Sequence, residues 1–366
     1  MKNSLITPVI LLLVCCTNCK NPDEATDISS KEIVFENSGT WKNIETEYYG
    51  QKNLLKNPGQ LALLGDKIII SEPQCDTLFK LISIYDPSMH YSLGTKGRGP
   101  GEFLSPTLRR SRLQEDSDST FQLFDPFKKI LYRFQWKDAY YTGKPEITSR
   151  VYAPASMQIV TNLIQVGDSS FIGTSTGIQN VFFSWDLKND SAVLCGESDF
   201  VKPPGNFPET FIPYLFTSSL TTNKENGRTA LAYYLYDILD IYDNQGELIR
   251  RIKGSANIDF PEIKAGSGSF SSDKATLYYD DIYSTDNYIY SLYYGFTESS
   301  LEDPEKRNEL YSKVIVYSWE GDIVDRYKID GIVTSICVAG DSLLYGLRPL
   351  DYMNPLFKAQ IQLISR

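Results

Sequence analysis

Histidine is nearly missing from this chain: among 366 residues there is one, His90. Histidine-based metal sites and Ser-His or Cys-His nucleophilic pairs would all have to run through it. It falls in a predicted turn between two apolar runs, the place of an exposed turn residue. Cysteine is scarce beyond the N-terminus. Cys75, Cys195 and Cys337 stand far apart and in no C-x-x-C pattern, so neither a zinc site nor a disulfide framework is signalled and core thiols are expected. Excess positive charge is lacking too. The 36 Lys and Arg against 46 Asp and Glu leave a net charge of -10 and a pI near 4.9, a field that repels nucleic acid and anionic lipid head groups. No G-x-S-x-G elbow occurs, and GSGSF at 266–270 reads as a connector. No stretch shows 3.6-residue amphipathic periodicity, so the body is predicted to be all-β.

What is present begins with MKNSLITPVILLLVCCTNCK, one lysine and an apolar run from Leu5 to Val14 followed by three cysteines. The run is about ten residues, too short to span a bilayer, and reads as a signal peptide over residues 1–15. A cysteine closing such a run resembles the lipobox of bacterial lipoproteins. Leu13-Val14-Cys15-Cys16 fits it best and makes Cys16 the expected lipidation site, with Cys19 as the alternative. Residues 16–30 are polar and apolar-poor after the cysteines, the composition of a flexible tether. Residues 31–366, rich in Tyr and Phe, are long enough for a sizeable core.

A pattern of apolar run, polar turn and apolar run returns six times: LALLGDKIIIS at Leu61, LQEDSDSTFQLFD at Leu113, IQVGDSSFIGTS at Ile164, LTTNKENGRTALAYY at Leu220, IYSTDNYIYSLYYG at Ile282 and ICVAGDSLLYGL at Ile336. Gly-Asp, Ser-Asp or Asn-Gly pairs between such runs are hairpin signals. Asp66, Asp168 and Asp341 are accordingly read as turn formers. A second hairpin follows each of the first five: LISIYDPSMHYSLG, ILYRFQWKDAYYTG, VFFSWDLKNDSAVLCG, LDIYDNQGELIRRIKG and VIVYSWEGDIVDRYKIDG. Four antiparallel strands per repeat, six repeats, predict a six-bladed β-propeller. The sixth repeat ends after its third strand, and KEIVFE or WKNIETEYY near the N-terminus is expected to supply the fourth, closing the ring and removing an exposed edge.

The stretch GTKGRGPGEF at 94–103 lies between the fourth strand of one repeat and the first of the next. Gly94 and Gly99 have the spacing of a phosphate loop, but Pro100 stands where the lysine belongs, and Glu102 breaks a dinucleotide fingerprint. Looser echoes, GESDFVKPPGNFP at Gly196 and KGSANIDFP at Lys253, recur at the same position of later repeats, which marks a structural return from rim to axis. This connector, with blades of apolar-Asp-apolar form, resembles the NHL-type six-bladed propellers and, more closely, the TolB-like six-bladed propeller lipoproteins of Bacteroidetes. The resemblance implies a binding scaffold in the cell envelope, lipid-anchored and placed at the outer membrane. Lactonase-like relatives hold calcium near the axis, which makes calcium the one cofactor to weigh. The acidic residues give it no support here, and no metal or catalytic set is expected.

Alternating strands put the returns and the second-to-third strand loops on one face, and the tight turns on the other. Variable loops on a rigid scaffold are where binding sits. Candidate ligand residues on that face are Lys96, Arg98 and Glu102 of the connector, Asp125 and Lys128 (with Lys129) of DPFKK, Asp237, and Arg348, Asp351 and Tyr352 of RPLDYMNP. The insertion at 296–312 overhangs them. The tyrosine clusters are expected to pack between blades. The expected protein is a monomer that binds a peptide, protein or glycan without catalysis, touches a membrane only through its anchor and binds no nucleic acid. The alternatives are a metal-dependent enzyme of lactonase or lyase type and a TolB-like envelope-assembly protein.

Overall fold

The computed structural model describes residues 31–363 apart from 36–38, 100, 105–106, 109–119, 136–145, 158, 176–180, 197–200, 203–206, 208–211, 224, 256–259, 261, 264–269 and 272–273. Three short strands come first, β1 (Glu32–Phe35), β2 (Lys42–Asn43) and β3 (Glu47–Tyr48). Blade 1 holds β4 (Leu61–Leu64), β5 (Lys67–Ser71), β6 (Thr77–Ser83) and β7 (His90–Lys96), with β8 (Glu102–Phe103) beyond them. Blade 2 holds β9 (Thr107–Leu108), β10 (Thr120–Asp125), β11 (Ile130–Gln135) and β12 (Glu146–Tyr152). Blade 3 holds β13 (Val160–Gln165), β14 (Ser170–Ser175), β15 (Phe182–Asp186) and β16 (Ser191–Cys195). Blade 4 holds β17 (Ser218–Asn223), β18 (Arg228–Tyr233), β19 (Ile238–Tyr242) and β20 (Leu248–Gly254). A small hairpin, β21 (Glu262–Ile263) and β22 (Phe270–Ser271), precedes blade 5. That blade holds β23 (Thr276–Ser284), β24 (Tyr288–Thr297), β25 (Tyr311–Ser318) and β26 (Ile323–Asp330). Blade 6 holds β27 (Ser335–Ala339), β28 (Leu343–Leu347) and β29 (Leu356–Gln360).

The all-β, six-bladed expectation holds, and the ring closes with an N-terminal strand. Of the two segments considered for that role, β3 within WKNIETEYY takes it, pairing antiparallel to β29 with Tyr48 opposite Phe357. KEIVFE does something else. Its β1 lies parallel to β20 on the outer edge of blade 4, and β2 lies parallel to β26 on blade 5, so the N-terminal segment strings along three successive rims. With β8 parallel to β7, blades 1, 4 and 5 have five strands where the repeats predict four. Blade 2 departs from its expected register. Its inner strand is Thr107–Leu108, ahead of Leu113, and its outer strand is Glu146–Tyr152, beyond AYYTG. His90 opens β7, half-buried, with Nδ1 3.1 Å from the carbonyl of Ser88.

The apolar runs are unbroken because the inner strands are buried on both faces. In β5, Ile68 and Ile70 pack into a core shared with blade 6 while Ile69 faces blade 2. In β18, Leu231 and Tyr233 point one way and Ala230 and Ala232 the other, and the alanines leave room for Tyr279 and Tyr293 of blade 5. The tyrosines do pack between blades: Tyr279, Tyr290, Tyr317 and Tyr345 are fully buried.

Candidate functional site

The inner strands all begin on the loop face, so their first residues ring the axis where it opens there. A cavity of about 440 Å³ lies in this mouth, lined by Gly59 and Gln60 before β4, Leu108 of β9, Asn162 and Ile164 of β13, Ser218, Ser219 and Leu220 of β17, Asp280 of β23 and Thr334 before β27. Every blade contributes. Much of the polar lining is spent on hydrogen bonds within and between the blades. Gln60 Oε1 accepts from the Leu108 N–H at 3.1 Å, Asn162 Nδ2 donates to Thr174 Oγ1 at 2.8 Å, and Ser219 Oγ donates to the Asp280 carbonyl at 3.0 Å. The Tyr294 hydroxyl stands 2.9 Å from Asp280 Oδ2 and 2.7 Å from the Val333 carbonyl, sharing one proton between them. Two hydroxyls differ. Ser218 Oγ and Thr334 Oγ1 are secluded from solvent and make no hydrogen bond within the protein. A buried hydroxyl left unpaired costs folding free energy, about 1–3 kcal/mol, so it marks a place where a partner belongs.

Among the described residues no cationic side chain lines this mouth, and Asp280 is its one carboxylate. Among the described residues no three His, Cys, Asp or Glu side chains cluster as a metal site. Calcium prefers six to eight oxygens with several carboxylates, and here the single carboxylate already meets Tyr294, so the donor set does not fit that ion well.

The residues singled out from the sequence fall into three separate groups around the loop face. The first, between blades 1 and 2, holds the connector in shape. Gly97 and Gly99 lack the Cβ atoms that would collide with the Glu102 carboxylate, and Glu102 Oε2 accepts from the Gly99 N–H at 2.7 Å. Lys128 Nζ donates to the Glu102 carbonyl at 2.7 Å. Asp125 is fully buried and accepts from the N–H groups of Leu104, Phe127 and Lys128 at 2.8–3.1 Å. Lys96 is exposed and donates to the Pro73 carbonyl, and the Arg98 side chain is exposed.

Asp237 forms the second group, at the loop between β18 and β19. It is 5 % exposed, and burial pushes its carboxyl up to about 6, opposed by the Tyr293 hydroxyl and Lys313. Tyr293 donates to Oδ2 at 3.2 Å while Oδ1 has no hydrogen-bond partner. Lys313 lies among the rings of Trp41, Tyr293 and Tyr311, 5.1–5.4 Å from their centres, and burial lowers its pKa. In the third group Arg348 lies over the Phe357 ring and donates to Thr46 Oγ1 at 2.9 Å, fastening the segment before β3. Asp351 accepts from the Asn354 N–H, and its hydrogen bond with Tyr48 raises that phenol. Tyr352 is 76 % exposed. Cys16 and Cys19 lie outside the described residues.

The axial residues were the ones that sequence reasoning missed. Their signal was a polar residue at or near the start of four of the inner apolar runs: Gln60 before Leu61, Asn162 before Leu163, Ser218 and Ser219 before Leu220, Thr334 ahead of Ile336.

The sequence matches the family described as TolB-like 6-blade propeller-like over residues 35–341. No curated protein matches the chain. Solved structures share its fold at low identity, two of them over most of the chain. A member of the DUF4221 family from Bacteroides vulgatus superposes with a TM-score of 0.56 at 13 % identity, over 89 % of this chain and 100 % of that one. A protein of Bacteroides fragilis, named only as a candidate exported protein, gives 0.57 at 11 % identity over 91 % of this chain and 100 % of that one.

Proposed function

We propose that this chain, which belongs to the TolB-like six-bladed propeller family, is a non-catalytic binding module outside the cytoplasm, anchored by a lipid on Cys16, that takes a peptide, protein or glycan at its axial mouth. The observation that carries this reading is the pair of secluded hydroxyls, Ser218 Oγ and Thr334 Oγ1, in a cavity to which all six blades contribute. Hydroxyls and amides without a cation suit neutral hydrogen-bonding groups, such as sugar hydroxyls or a peptide backbone, and disfavour anions. The location draws support from the leader-like N-terminus and from the likeness to a candidate exported protein.

Melting the protein with neutral oligosaccharides, peptides and calcium as additives tests the reading, because tight ligands raise the midpoint by mass action. A shift with an oligosaccharide or peptide that Thr334→Val diminishes is the expected result. A calcium shift lost in Asp280→Asn would replace it with a metal-dependent site. Mass spectrometry of the N-terminal fragment tests the anchor, and an unmodified Cys16 overturns that part alone.

A further inference from the structure

We propose that the outer edge of blade 3 is a second recognition site, where an uncharged extended segment of a protein partner adds as a fifth strand beside β16. The chain itself shows what this position accepts. On blades 1, 4 and 5 the fourth strand is covered by a short extended segment running parallel to it, β8, β1 and β2 respectively. On blade 3, β16 is the last strand of its sheet among the described residues.

The sequence of β16 is unlike the other outer strands. Those read HYSLGTK, EITSRVY, LIRRIKG, IVDRYKID and, for blade 6, EY, and each carries at least one residue able to bear charge, the usual protection against unwanted strand pairing. Only β16, SAVLC, has none, and it exposes Val193 at 60 % and Leu194 at 44 %. An uncharged edge with outward apolar side chains pairs best with a strand of the same kind.

One face of that edge continues into a recess. Cross-strand register puts Ala192 beside Trp185 and Leu194 beside Phe183, on the side of blade 3 that packs against blade 2. There a groove of about 360 Å³ runs between the end of β12 and the rim of blade 3, lined by Arg150, Tyr152, Pro154, Trp185, Leu187 and Asp190 among others. Trp185 is 2 % exposed, and its indole N–H is buried with no acceptor. Side chains on alternate residues of an added strand would fall into this groove, where an apolar group fills it and a carbonyl can accept from Trp185. The partner is therefore an extended segment with apolar residues at alternate positions, without charge over about four residues. Parallel addition would start it near Ser191 and end it near Cys195.

The test is selection of a random heptapeptide library on the full chain, with Val193→Lys as counter-selection. Lysine at an exposed edge position blocks strand addition while leaving the blade core untouched. Recovered peptides are expected to be uncharged and alternating, to lose roughly tenfold or more in affinity on Val193→Lys, and to weaken on Trp185→Phe, which removes the N–H. Bound peptide should slow amide exchange along β16. Three results overturn the proposal: no enriched peptide that depends on Val193; peptides that bind equally well to Val193→Lys; or a wild-type dimer that Val193→Lys returns to monomer, which would give the edge to a second copy.

Discussion

Arg251 on β20 grips Asp240 on β19 through two hydrogen bonds of 2.8 Å, and both side chains are buried, at 4 % and 0 % exposure. The hydroxyls of Tyr242 and Tyr233 add to the same carboxylate at 2.9 and 3.1 Å. The ion pair sits inside blade 4, where an unpaired charge has no water to turn to. Arg251→Met is expected to cost about 3–5 kcal/mol, because it strands the Asp240 charge. The double variant Asp240→Leu, Arg251→Met should recover part of this, limited by the two tyrosine hydroxyls that lose their acceptor. Urea unfolding of the two singles and the double measures the coupling directly.

Asp237 should make stability fall with rising pH. Its folded-state pKa of about 6 lies above the ordinary 3.8, so between those values the folded protein holds a proton that the unfolded chain has released. Stability from this group is present in full below about pH 4 and is lost as pH climbs through 6. The difference of about two units corresponds to on the order of 3 kcal/mol. Asp237→Asn removes the titration, so its stability relative to wild type should improve from pH 4 to pH 7.5. A flat difference across that range would show that the carboxyl is not desolvated in solution.

The repeats in the sequence carried the architecture a long way, since turn pairs such as Gly65-Asp66 and Gly340-Asp341 mark hairpins by local backbone chemistry alone. Asp341 adopts φ of 53°, as expected of a turn former. Blade 2 was not legible in the same way because its inner strand comprises just Thr107–Leu108 among the described residues, too short for any periodicity to register. The outer segments β1 and β2 were also illegible, because pairing with blades 4 and 5 depends on partners some 200 or more residues away. The candidate site was harder still. Charged residues on loops attracted notice, yet Asp125, Glu102 and Lys128 spend their hydrogen bonds on the connector. The polar residues of the axial ring are, apart from Asp280, Ser, Thr, Asn and Gln, each ordinary in its own repeat, and the closed ring brings them together.

Tyr49 links the two ends of the ring. Its hydroxyl donates to the Ser83 carbonyl of blade 1 at 2.8 Å, and its ring meets Tyr345 of blade 6 edge-on at 5.4 Å. Tyr49→Phe should cost about 1 kcal/mol, the loss of one hydrogen bond to a carbonyl. Tyr49→Ala should cost about 3–5 kcal/mol, because the cavity it leaves lies at the closure. Hydrogen exchange checks the mechanism: amides of β3 and β29 should lose protection before those of blades 3 and 4. Uniform loss across all blades would show that β3 is not a separable clasp.

Thr334→Val and Ser218→Ala should move stability and binding in opposite directions. Each substitution removes a buried hydroxyl that makes no hydrogen bond within the protein, and valine keeps the shape of threonine. A hydroxyl that served only the fold would be paired already, so its loss would destabilise. Here the loss relieves an unpaired polar group, and stability should stay level or rise by up to about 1 kcal/mol. Affinity for whichever oligosaccharide or peptide shifts the melting of the wild type should fall about tenfold for each hydroxyl removed, the worth of one well-made hydrogen bond in a secluded site. Calorimetric titration beside thermal unfolding reads both quantities on the same samples. If both variants bind as wild type does, the axial mouth is not where that ligand sits; if both lose stability, the hydroxyls are paired in solution and belong to the scaffold.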